Sequence, residues 1–240
     1  MSMRLMIEKS RAIEKLLYQY LHLPIAGKKI RCPYWRDKIE KGIWGPLGGK
    51  GKVNQIVRAT LVMAKIQRIE LKELSGEKIE NFIRKNRIGL DCSGLVYWLL
   101  DALDREKGGN GLVDDIPRAK GRFLIRANVE MLTNDKVTIP IEKISDVKVG
   151  DIIRLQGGKH LAVVIQIRKA RNQVKEFVYA HSSNLTEVKG VHLNKIMIKN
   201  PDKGLEKQIW LEKTYKGENY GQKYFRPEKG DGVRRLRVWI

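Results

Sequence analysis

Asp91-Cys92-Ser93-Gly94-Leu95-Val96 places one of the chain's two cysteines where an apolar helix should begin. Asp91 is a good N-cap, so the helix is expected to start at Cys92. The first turn of a helix carries unpaired N–H groups and about half a positive charge, and both favour thiolate over thiol. Val96, Leu99, Leu100 and Leu103 recur at helical spacing and would bury the helix, holding its first residue rigid. A nucleophile needs that setting.

Two histidines supply the rest of a relay. The apolar run His160–Ile167 and the run Glu176–His181 read as strands joined by a short basic connection. A hairpin turning near Ala170-Arg171 sets His160 beside His181, with Cβ atoms about 5 Å apart. A slip of one residue would put them on opposite faces. In the relay Cys92 attacks, His160 takes its proton, and His181 holds His160 in the right tautomer. His160 is the better base because it opens a strand directly after the Gly157-Gly158 loop. His22 and His192 lack such company and read as structural or surface residues. Cys92, His160 and His181 are expected to lack a carboxylate placed as a metal ligand and lack the local CxxC or HxxxH spacing, so no metal or other cofactor is expected.

The elements that must position these groups follow from periodicity. Residues 6–22 read as an amphipathic helix with Ile13, Leu16, Leu17, Tyr20 and Leu21 on its apolar face. Residues 54–71 read as a second helix, Ser75 caps a third, and Arg118–Leu132 reads as another. Gly48-Gly49-Lys50-Gly51-Lys52 lacks the spacing of a phosphate loop and is expected to be a mobile loop beside a cleft. Beyond Pro140, strands are expected near 152–155, 160–167, 176–181, 191–198 and 232–240. Arg234, Arg235 and Arg237 suit an edge strand. Helices first and an antiparallel meander afterwards make the fold class α+β.

Asp-Cys-Ser-Gly-Leu-Val at 91–96, Val-Gly-Asp-Ile-Ile at 149–153, His-Leu-Ala-Val-Val-Ile at 160–165 and Tyr-Ala-His-Ser-Ser at 179–183 together resemble the NlpC-type cysteine peptidases, papain-like cell-wall endopeptidases. The resemblance covers roughly residues 88–200. It implies a papain-like fold, with the nucleophile helix packed on an antiparallel sheet. It implies Cys92 as nucleophile, His160 as base and His181 as orienter. The implied reaction is hydrolysis of an amide, commonly in the stem peptides of peptidoglycan. Pro33-Tyr34 matches an upstream dipeptide of the family, which would place Tyr34 at the oxyanion. Asp91 and Ser93 match positions that in some members contact the substrate's free amine. On this reading residues 1–87 form an N-terminal helical and loop region with an insertion, 88–240 form the catalytic core, and the two together are expected to make one compact domain.

The chain has 240 residues, enough to bury a sizeable core without disulfides or metals. Cys32 and Cys92 alone build no disulfide framework, which points to a reducing compartment. No apolar run is long enough to span a membrane, and the N-terminal residues lack the apolar stretch of a signal peptide, so a cytoplasmic location is expected. The formal net charge is +21. A field of that sign attracts nucleic acid, anionic polymers or an anionic surface. Three readings therefore stand: a cysteine hydrolase acting on a peptide or muropeptide, an amidase, transpeptidase or acyltransferase sharing its thioester, or a basic binding module with a vestigial triad.

Overall fold

The computed structural model describes residues 5–36, 46–116 and 127–240. Its elements run β1 (Leu5–Lys9), α1 (Arg11–Leu21), β2 (Leu23–Ile25), β3 (Lys28–Ile30), α2 (Val53–Ile66), α3 (Gly76–Lys85), α4 (Cys92–Glu106), α5 (Val129–Thr133), β4 (Thr138–Ile141), β5 (Ile152–Leu155), β6 (His160–Ala170), β7 (Gln173–Ser183), β8 (Gly190–Met197), β9 (Ile209–Trp210), α6 (Tyr220–Tyr224) and β10 (Gly232–Leu236). The class is α+β. One eight-stranded sheet has the order β4-β10-β5-β6-β7-β8-β9, and β1 adds to β6. The register of each of its ladders is antiparallel.

Strand β6 is the organiser. It pairs with β5 through residues 160–163 and with β1 through residues 166–170, both on the edge opposite β7. Its unbroken apolar run is explained by burial on both faces. Leu161, Val163 and Ile165 join the core shared with α1, α3 and α4, whereas Ala162, Val164 and Ile167 join a second core with Phe177, Tyr179, Trp210 and Tyr220. The first core draws on residues from Ile13 to Leu236, so it spans both sides of the 87/88 boundary.

Several expectations are corrected. Residues 6–9 are strand rather than helix. The Ser10 hydroxyl accepts from the Ile13 N–H and starts α1 there, leaving Leu5–Lys9 free to pair with β6. The second helix stops at Ile66 because Arg68 turns to a left-handed conformation, φ 55°, and Leu71 sits in a separate 3₁₀ turn. Most of the 118–132 helix lies outside the described residues, of which 127 onward include only the short α5. Strand β10 is internal, between β4 and β5, so Arg234, Arg235 and Arg237 are not on an edge strand. Arg235 instead donates to the buried Asp151 carboxylate at 2.8 Å, and the chain leaves the strand at Arg237 for a 3₁₀ turn. No helix among the described residues is long and apolar enough to cross a membrane.

Candidate active site

Helix α4 begins at Cys92, as the Asp91 cap requires. The Asp91 side chain accepts from the Gly94 N–H at 2.7 Å. The other Asp91 oxygen receives the Lys50 ammonium, which also reaches Ser93 Oγ at 2.7 Å. Ser93 Oγ donates to the Ala127 carbonyl at 3.1 Å. Asp91 and Ser93 are thus hydrogen-bonded within the protein, and the Lys50 ammonium bridges the two side chains that the resemblance assigns to a substrate amine. The expected mobile loop is not mobile-loop chemistry at this end. Gly49 accepts from the Asp91 N–H at 2.9 Å, and Lys50 is buried. Residues 37–45, which precede it, lie outside the described residues. Gly94 of the motif has a steric reason: a Cβ there would stand 2.4 Å from the Gly49 carbonyl oxygen.

The backbone N–H groups of Leu161 and Ser93 are near enough to the Cys92 sulfur to favour its ionised form. Leu161 directly follows His160 in β6, so Cys92 packs against the strand that bears His160. Tyr34 is brought to the same place by a bridge to Leu90, and it lies within electrostatic reach of Cys92 and Asp91. Burial and those two groups push its phenol well up. The thiol itself departs from expectation. Burial, reinforced by Asp91, raises Cys92 to about 11 despite Lys50 and the two N–H groups. The charge of a helix end is outweighed where solvent is excluded, so the resting group is a thiol rather than a thiolate.

The histidines meet by a route one step removed from the expected one. The hairpin turns at Arg171-Asn172, both with positive φ, and the ladder sets Val163 opposite Ala180 and Val164 opposite Tyr179. His160 and His181 are therefore diagonal neighbours, not directly opposed. The slip is two residues, which keeps them on one face. His160 Nε2 and His181 Nδ1 are 2.8 Å apart, and the rings are edge-on. Tyr220 packs edge-on against both, and it also senses charge on Cys92.

Two further residues complete the cluster. Glu212 Oε1 lies 2.9 Å from His181 Nε2 and 2.6 Å from His192 Nε2, and Tyr179 OH donates to Glu212 Oε2. His192 Nδ1 donates to the Gly190 carbonyl at 2.9 Å. His192 is thus buried and does have company, in His181 and Glu212, and the premise that His181 lacks a carboxylate is wrong. The β7–β8 register, which sets His181 directly opposite His192, was a signal that a second hairpin count would have found. Glu212 had none, because it lies in an irregular segment after β9. His22 is a surface residue, its ring 4.2 Å from that of Tyr18.

Electrostatics orders the chain of protons. Burial holds His160 well below the ordinary histidine range, and His181 lower than usual, so both rings are neutral. Burial opposes the Glu212 charge, but His181 and His192 override it and hold the carboxyl far below its usual range. An ionised Glu212 accepts from His181 Nε2–H. The free Nδ1 of His181 then accepts from His160 Nε2–H, which leaves a lone pair on His160 Nδ1. An open groove of about 780 Å³ lined by Tyr18, Val57, Leu61 and Trp98 lies elsewhere, away from all three residues.

No family model, curated protein or solved structure matches the chain.

Proposed function

We propose that the chain is a cysteine hydrolase that cleaves an amide bond through a thioester on Cys92. His160 Nδ1 takes the thiol proton as sulfur attacks the carbonyl carbon. The oxyanion is met by the Cys92 N–H at the start of α4, with Tyr34 as a second donor. The His160 imidazolium then returns the proton to the leaving amine. Water attacks the thioester, again through His160, and frees the acid. Because the resting pair is neutral, proton transfer accompanies attack instead of preceding it.

One observation carries this reading: an unbroken hydrogen-bonded line from Glu212 through His181 to His160, on the strand against which Cys92 packs. The packing of α4 on β6 and β7 supports a papain-like arrangement, as the motif resemblance implies. That resemblance also supplies the substrate class, stem peptides of the peptidoglycan type. The Lys50 ammonium narrows it to substrates whose recognition does not need a free amine at Asp91. The net charge of +21 supports electrostatic approach to an acidic polymer. Two free cysteines fit a reducing compartment, the cytoplasm.

The test is turnover of defined muropeptides and N-blocked peptides by wild type, Cys92→Ala and His160→Ala. Cys92→Ala is expected to fold normally and to lose all hydrolysis. His160→Ala loses nearly as much, and His181→Ala less. Competing amines in the assay separate hydrolase from transferase. Unchanged turnover by Cys92→Ala overturns the enzyme reading.

A further inference from the structure

The atoms His181 Nε2, His192 Nε2 and Glu212 Oε1 form a small triangle. The two nitrogens are 2.9 Å apart, and each lies within 2.9 Å of the oxygen. All three residues are buried. Filled with protons, this triangle is in conflict. His192 already carries a proton on Nδ1 for the Gly190 carbonyl, so a bond to ionised Glu212 requires a second on Nε2. Two N–H donors then converge on one oxygen while facing each other. A cation removes the conflict, because both nitrogens would then present lone pairs.

The surroundings are those of a metal site. The far nitrogen of His192 is fixed by a carbonyl, and the far oxygen of Glu212 is held by Tyr179 OH. Metal-ligating imidazoles and carboxylates are oriented by such outer partners. Two imidazoles and one carboxylate match the preferences of zinc and its neighbours. Ligand atoms around a tetrahedral zinc stand about 3.3 Å apart, so the face opens by roughly half an ångström on loading. Three protein ligands leave a fourth position for water.

We propose that His181, His192 and Glu212 bind one divalent cation of the zinc class, and that loading reverses the hydrogen-bonded line and silences Cys92. The site itself stands apart from the hydrolase reading, and its regulatory effect rests on that reading. The proton balance is as follows. When His181 Nε2 binds metal, its proton must sit on Nδ1 and be donated to His160 Nε2. The His160 proton then moves to Nδ1, where the base lone pair had been. Any proton on His192 Nε2 passes to solvent, and Nδ1–H stays on the Gly190 carbonyl. His160 thereafter presents N–H to the thiol and has no site for its proton.

The experiment uses chelator-treated full-length Cys92→Ala, which removes sulfur as a competing ligand. Titration with zinc alone is expected to give one ion per chain and a higher unfolding temperature. Cobalt(II) is expected to give visible bands of low coordination without a thiolate charge-transfer band. His192→Ala and Glu212→Gln are expected to weaken binding at least tenfold. X-ray absorption of zinc-loaded Cys92→Ala reads the ligand set with no change in the cluster. Imidazole scattering supports the site, and a shell of oxygen alone overturns it. Loss of all zinc binding in Cys92→Ala also overturns it. In wild type, one equivalent of zinc is expected to abolish hydrolysis and a chelator to restore it. Full turnover by zinc-loaded protein overturns the tautomer reversal. Zinc binding by a wild type that hydrolyses nothing supports the site and sinks the hydrolase reading instead.

Discussion

His181 and His192 face each other directly across β7 and β8, and their Nε2 atoms lie 2.9 Å apart beside one carboxylate oxygen. His160 joins from the other side at a diagonal. His160 is therefore positioned by a ring that is itself held by Glu212, and the consequences are measurable.

Glu212→Gln keeps the shape and removes the charge. With no ionised acceptor, His181 loses the preference for a proton on Nε2, and His160 loses its fixed lone pair. kcat is expected to fall on the order of 10²-fold, with KM little changed. A merely structural role would lower the folded fraction without that split. Active-site titration beside the rate measurement tells the two apart.

Burial sets the thiol. With Cys92 raised to about 11, alkylation by iodoacetamide is expected to rise about tenfold per pH unit from pH 7 to pH 10, without a plateau. Loss of the imidazole in His160→Ala is expected to leave that profile in place, since the resting pair is neutral. Mass spectrometry of the Cys92 peptide separates it from Cys32, which is fully buried. A plateau below pH 7 would show a preformed ion pair.

Lys50 and Asp91 form a buried ion pair beside Cys92. Lys50→Met strands the Asp91 carboxylate and is expected to cost about 3–5 kcal/mol. Chemical denaturation reads this as a lower midpoint with an unchanged slope. A shift under about 1 kcal/mol would mean that solvent reaches Asp91.

Gly94→Ala drives a methyl group into the Gly49 carbonyl. The expected cost is about 1–3 kcal/mol, together with loss of the Asp91 N–H bond to that same oxygen. Exchange of the Asp91 amide with deuterium reports the second effect directly.

Much of this was legible in the sequence because it depends on local rules. The Asp91 cap fixed the start of α4, and strand parity survived a two-residue error in the hairpin because two is the period of a strand. The connection between β1 and β6 was not legible, since the short run Leu5–Lys9 borders a strong helix and only a distant partner makes it a strand. Lys50 and Glu212 were missed for the same reason. Each is an ordinary charged residue in irregular chain, and only the tertiary fold brings it to the site. The thiol was misjudged because burial, which opposes charge, cannot be read from a cap.

Glu8 and Lys169 are ion-paired although 161 residues apart in the chain. During synthesis β1 therefore emerges long before β6 exists to receive it. Half of one flank of the strand that bears His160 stays unlaced until that early segment returns. The flank of the strand that bears His160 is thereby completed only by a contact between early and late parts of the chain, and a chain released before β6 cannot close it.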